Sequence, residues 1–180
     1  MYVVDAAAEN RGFIYQYDID YSKGEEVEKY KTYGGNGYYY DELIGDKFKL
    51  KDKSYTLVYE GPAATDCAVD STGNLYFPTV DDHIYGISYT DLYERNKNAH
   101  QELLDETAVS GCTGIDVRFD GELWWSNSDT VDTLGTLASM KWLGYEDVLA
   151  DEKTVEVQHS ALAANGLALK KNYAYYITNG

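Results

Sequence analysis

The chain has 180 residues, 44% of them hydrophobic and 26% charged, with a formal net charge of −16. That length holds one ordinary domain with a real core, or two small ones, and the composition excludes a disordered chain. No run reaches the roughly 18 to 20 apolar residues that span a bilayer, and a nucleic-acid surface would need clustered Lys and Arg, so neither membrane insertion nor nucleic acid is expected.

Nineteen Tyr, four Phe and three Trp stand beside two Pro and sixteen Gly. Aromatic strand formers separated by glycine turns predict an all-β domain with tight hairpins. In chain order, Tyr2-Val3-Val4-Asp5 and the run from Phe13 to Ile19 read as strands. Between Tyr21 and Lys53 the pattern dissolves into Tyr, Gly, Lys and Asp, which predicts an outer strand and a long insertion. Tyr38, Tyr39 and Tyr40 within it form a candidate binding surface. The run from Asp66 to Phe77 reads as a hairpin, followed by a strand at His83–Ile87. The stretch from Thr90 to Asp105 is expected to contain a short helix, although Leu92, Ala99 and Leu103 are loosely spaced along it. Gly114–Trp125 is a second hairpin, with a strand after it from Leu137 to Trp142, and Gly166–Ile177 is a third.

The three hairpins are copies of one unit. Their openings at Asp66, Gly114 and Gly166 are 48 and 52 residues apart. In each, bulky residues (Cys67/Val69, Ile115/Val117, Leu167/Leu169) alternate with slim or acidic ones (Asp66/Ala68, Gly114/Asp116, Gly166/Ala168). A turn built on Gly73, Gly121 or Asn172 follows, then an aromatic strand. A period of about 40 to 50 residues with several short strands per unit is the mark of a β-propeller with four-stranded blades. Blade parts are expected at about 1–20, 55–108, 109–160 and 161–180, around an insertion at about 21–54.

Asp66 and Asp116 lie on the slim faces of first strands and are candidates for a polar central channel. Arg118 shares a strand face with Asp116 and is expected to pair with it. Asp70, Asp120 and Asp129 read as turn carboxylates, and the acidic runs at Glu25-Glu26 and Glu146–Glu152 as solvated surface. Trp124 and Trp125 point to opposite faces and are expected to pack between blades. Cys67 and Cys112 are staggered by about 10 Å along successive first strands, too far for a disulfide, so two free thiols are expected. His83, His100 and His159 are scattered and show no metal spacing.

The segments TDCAVDSTGNLYF, TGIDVRFDGELWWSN and ANGLALKKNYAYYITN together resemble the six-bladed propellers of the NHL, gluconolactonase-like and paraoxonase/strictosidine-synthase-like superfamily. The resemblance covers about residues 55–180 and, more weakly, the first 20. It implies a ring of blades, of which about four, whole or partial, fall in this chain. In the lactonase and esterase members it also implies a calcium ion on the central axis, held by residues just before each repeat opens. That position falls on Thr65, Thr113 and Asn165, and only Asn165 carries a suitable ligand. Asn165 has two readings, a calcium ligand or an amide that ties down a strand start.

The expected function is a non-catalytic propeller, a structural or protein-interaction module with no resident cofactor, in a secreted, cell-surface or self-assembling setting. The alternative is a calcium-dependent lactonase or arylesterase. A small-molecule-binding propeller without metal is a third class. Because strands expected of an incomplete blade stand at both ends, either a longer chain or a second copy is expected to complete the ring, with protein partners or self-association to match.

Overall fold

A computed structural model describes residues 2–6, 11–17, 25–26, 33–35, 38–40, 48–49, 55–106, 109, 111–128, 135–140, 155–160 and 164–178. Among them the chain is all-β, with one short helix. The strands are β1 (Tyr2–Ala6), β2 (Arg11–Tyr17), β3 (Glu25–Glu26), β4 (Tyr33–Gly35), β5 (Tyr38–Tyr40), β6 (Phe48–Lys49) and β7 (Tyr55–Pro62). Then come β8 (Ala68–Val69), β9 (Leu75–Pro78), β10 (Ile84–Ile87), the helix α1 (Tyr89–Glu94) and β11 (Gln101–Leu104). After these follow β12 (Cys112–Val117), β13 (Leu123–Asn127), β14 (Thr136–Met140), β15 (Val155–Ser160), β16 (Ala164–Lys170) and β17 (Tyr173–Thr178).

Every pairing is antiparallel between chain neighbours or across one excursion. The first sheet is β1-β2-β7, and β3-β6 and β4-β5 form small two-stranded sheets within the excursion between β2 and β7. The second sheet is β8-β9-β10-β11, the third β12-β13-β14-β15, and the fourth β16-β17. The second and third are four-stranded meanders, the unit that a 48-residue repeat predicts. The short helix expected in the stretch from Thr90 to Asp105 is α1, which carries Leu92 and stops before Ala99. Ser88 caps it by accepting from the Asp91 N–H, Arg95 at φ 61° ends it, and Leu103 stands on β11 instead.

The repeat is exact in its backbone bonds. The Asp70 N–H donates to Asn74 O and the Gly73 N–H to Asp70 O, both at 3.1 Å. Forty-eight residues later, the Arg118 N–H donates to Glu122 O at 2.9 Å and the Gly121 N–H to Arg118 O at 2.8 Å. Gly73 and Gly121 hold φ of 93° and 91°, where a side chain would be strained. The third turn is one residue tighter and uses Lys171 at φ 56°.

What differs is the side chains. The Asp70 carboxylate accepts from the Thr72 N–H and hydroxyl, the Asn74 N–H and amide, and the Tyr76 hydroxyl, and is nearly buried. Its counterpart region is exposed: Arg118 pairs with Asp120 and with Glu122. That replaces the expected Asp116–Arg118 pair. The turn offers Arg118 two carboxylates at its own level, and Asp116 is engaged elsewhere.

Sheets stack because strand side chains alternate. On β9, Leu75 and Phe77 join Ile14, Val58 and Tyr59 between the first and second sheets. Tyr76, between them in sequence, joins Ile115, Leu123, Trp125 and Met140 between the second and third. Each fully buried side chain of this size contributes about 1.5–3 kcal/mol. Trp125 is fully buried, in keeping with packing between sheets, although its indole N–H has no acceptor. His100 stands edge-on to Tyr59 and Tyr85 at the first junction, and burial lowers its pKa.

Burial pushes the Asp70 carboxyl up, but hydrogen bonds from Asn74, Thr72 and Tyr76 outweigh it and hold the pKa below the ordinary value. Its contribution is therefore present above about pH 4 and lost as pH falls through the lowered pKa. Asp70→Ala should destabilise the chain by roughly 3 kcal/mol, because Asn74 and Tyr76 lose a charged acceptor. Asp120→Ala should cost under about 1 kcal/mol, as exposed ion pairs do. Urea titrations should show this contrast, and the deficit of Asp70→Ala should shrink below about pH 4.

Candidate functional site

The channel candidates Asp66 and Asp116 both stand where one sheet meets the next. Asp66 Oδ1 accepts from its neighbour Cys67 N–H at 2.8 Å, and Oδ2 from the Ile115 N–H of β12 at 3.1 Å. Asp116 Oδ1 accepts from the Val117 N–H at 2.8 Å, and Oδ2 from the Leu169 N–H of β16 at 2.6 Å. The two spans are 49 and 53 residues. Asp66, two residues before β8, and Asp116, on β12, each latch to the first strand of the following sheet, and each donor lies one position further along its own repeat. The two latches are offset by two positions of the repeat, and both reach forward to the next sheet.

Slim residues make these latches geometrically feasible. A β-carbon on Gly114 would stand 2.5 Å from Leu167 N and 2.6 Å from the Gly166 carbonyl carbon, so β12 and β16 approach backbone to backbone. Thr65 adds a third tie, its hydroxyl donating to Cys112 O at 2.9 Å. Thr113 lies 3.3 Å from the Ser126 hydroxyl, within its own sheet.

The electrostatics follow from burial. Desolvation raises the Asp66 carboxyl, the nearby Asp116 adds to this, and the N–H groups of Ile115 and Cys67 oppose it. An acid whose pKa is raised on folding favours the folded state as pH falls through that value, the reverse of Asp70. Burial likewise pushes the Cys67 thiol to about 11 and the Cys112 thiol to about 12. Both cysteines are free, as their stagger predicts; Cys112 is buried and Cys67 half-buried.

The resemblance raises calcium, and the described residues do not fit it. Of the positions it marks, the Thr65 hydroxyl is spent on a carbonyl and Thr113 faces a hydroxyl. Asp66 and Asp116 turn both oxygens to backbone N–H groups. Among the described residues no group of three or more His, Cys, Asp or Glu side chains is placed to hold a metal ion. Asn165 pairs with Ile177 across β16 and β17, and its side chain lies outside the described residues. Tyr38, Tyr39 and Tyr40 form β5, opposite Gly35, Gly34 and Tyr33; their side chains also lie outside the described residues, as does Asp129. No described helix is long and apolar enough to cross a membrane.

The latches were only half visible in the sequence. An acidic residue on a slim strand face marks the acceptor, but its donor is a backbone N–H and leaves no sequence mark. Comparison with known proteins adds nothing to this picture: no protein-family model and no curated protein matches the chain.

Removing one latch should free one amide. Asp116→Ala should raise hydrogen exchange at Leu169, and Asp66→Ala at Ile115, each with a loss of roughly 1–3 kcal/mol. Equal exchange at both amides in both variants would contradict this assignment. The native thiols should react slowly with iodoacetamide at pH 8 and rapidly once the chain is unfolded in urea.

Proposed function

We propose that the chain is a non-catalytic scaffold of propeller type, acting as a structural or protein-interaction module. One observation supports the reading above the others. The carboxylates expected to line a central site are engaged by the protein itself, two hydrogen bonds holding sheet to sheet and two closing on the N–H of the next residue. A catalytic carboxylate needs its oxygens directed at substrate, metal or a base, and these are directed at the protein.

The propeller part of the reading rests on the 48-residue repeat, on the two four-stranded meanders, and on the stacking of consecutive first strands β8, β12 and β16. An extracellular setting belongs to the proposal too, on the resemblance and the Tyr-rich, acidic composition alone.

A calcium titration tests the proposal. The melting temperature should be unchanged by calcium in the wild type and in Asn165→Ala alike. Stabilisation by micromolar calcium that Asn165→Ala abolishes would replace this reading with the calcium-dependent hydrolase.

A further inference from the structure

The same repeat position recurs on three sheets, and on two of them it is covered. Ala68 pairs with Tyr76 across β8 and β9, Asp116 with Trp124 across β12 and β13, and Ala168 with Tyr175 across β16 and β17. These pairs occupy the forward face of each sheet. Tyr76 is fully buried against the third sheet. Trp124 is half-buried with its indole nitrogen out of solvent, on β13, which packs near β16 of the fourth sheet. Tyr175 is 57% exposed and the adjacent Tyr173 is 67% exposed, with ring centroids 6.4 Å apart. The face of β16–β17 thus carries the residues of a sheet junction and presents them to water.

A matching surface must be bulky, as the back face of β12–β13 is with Ile115, Leu123 and Trp125. It must also meet a cation, because Lys170 pairs with Tyr173 on that face, and β16–β17 has two lysines and no acid in a chain of charge −16. The outer face of the first sheet answers both requirements. Tyr2, Val4 and Ile14 turn inward to the second sheet, which leaves Val3, Asp5, Phe13 and Tyr15 outward. Val3 pairs with Tyr15 and Asp5 with Phe13, giving an apolar row beside a row that carries an exposed carboxylate. Glu60, next to Phe13, is already shared by Arg11 and Lys97, so Asp5 is the carboxylate on offer to Lys170.

We propose that the β16–β17 face of one copy docks on the β1-β2-β7 face of a second copy, continuing the sheet stack from chain to chain. Tyr173 and Tyr175 cover Val3, Phe13 and Tyr15, and Lys170 meets Asp5. Because the two faces differ, the contact is heterologous and grows head to tail, closing into a ring or extending as a filament. The proposal rests on the scaffold reading and names its partner, a second copy of this chain.

Sedimentation velocity over about a hundredfold range of concentration reads the association directly. The wild type should shift from monomer to larger species as concentration rises. Tyr175→Asp on one face and Val3→Asp on the other should each stay monomeric. Mixed in equal amounts, the two variants should give a heterodimer and nothing larger, since each keeps the face the other has lost. Tyr93→Asp, at an exposed tyrosine on α1, should associate like the wild type. Should Tyr175→Asp unfold, as circular dichroism would show, Lys170→Glu takes its place, and it should regain association when mixed with Asp5→Lys. A wild type that is monomeric at every concentration overturns the proposal, as does association unaltered in both face variants. Such a failure leaves the calcium titration untouched, so the loss of this partner is distinguishable from loss of the scaffold reading.

Discussion

Leu167 N lies 2.5 Å from where a β-carbon on Gly114 would stand, and that approach governs how the third and fourth sheets meet. Two β-sheets usually pack about 10 Å apart, with side chains filling the gap. Here β12 and β16 come together backbone to backbone, whereas side chains such as Trp125, Met140 and Leu104 fill the space between the second and third sheets. The approach is narrow where β12 meets β16. Narrowness is also what brings a carboxylate on one strand within reach of an amide on the next. The slim face and the Asp116 latch thus depend on one distance.

A latch of this kind is electrostatically expensive. A half-buried carboxylate loses hydration, and the nearby Asp116 adds to that cost at Asp66. Two N–H groups on each carboxylate offset that cost, and the same bonds satisfy amides that a stacked first strand leaves without a partner. Asp70 shows the other outcome: five donors outweigh desolvation, and the group is held ionised. Desolvation prevails at Asp66 and the donors prevail at Asp70, so the two carboxyls move in opposite directions.

Much of this architecture was legible in the sequence, and the limits are physical. Gly73 and Gly121, with a strand on either side, gave the turns, because positive φ restricts the choice of residue. Alternation of Cys67, Val69, Ile115 and Val117 with slim residues gave the faces. The stagger of Cys67 and Cys112 gave free thiols. Arg118 misled, because a cation two residues along a strand is a plausible partner for Asp116 and a backbone amide 53 residues away is invisible to any pattern. The short helix between Thr90 and Asp105 was legible, but its end was not. Ala99 and Leu103 share an apparent helical spacing with Leu92, but Arg95 at positive φ ends the helix before it reaches them. Asn165 and the Tyr38–Tyr40 run depend on side chains beyond the described residues.

The latch spacing also bears on how the chain is made. Each latch closes a loop of 49 or 53 residues, whichever sheets have formed before it. A tie from Asp66 directly to Leu169 would double that loop and add about 0.6 kcal/mol of closure entropy, so passing the tie from sheet to sheet keeps each step equally cheap. During synthesis at about 5–20 residues per second, a nascent chain holds each carboxylate in water for roughly 3 to 10 s before its partner amide exists. Growth of the polypeptide and growth of the stack then run in the same direction, and each new first strand arrives at a neighbour already folded to receive it.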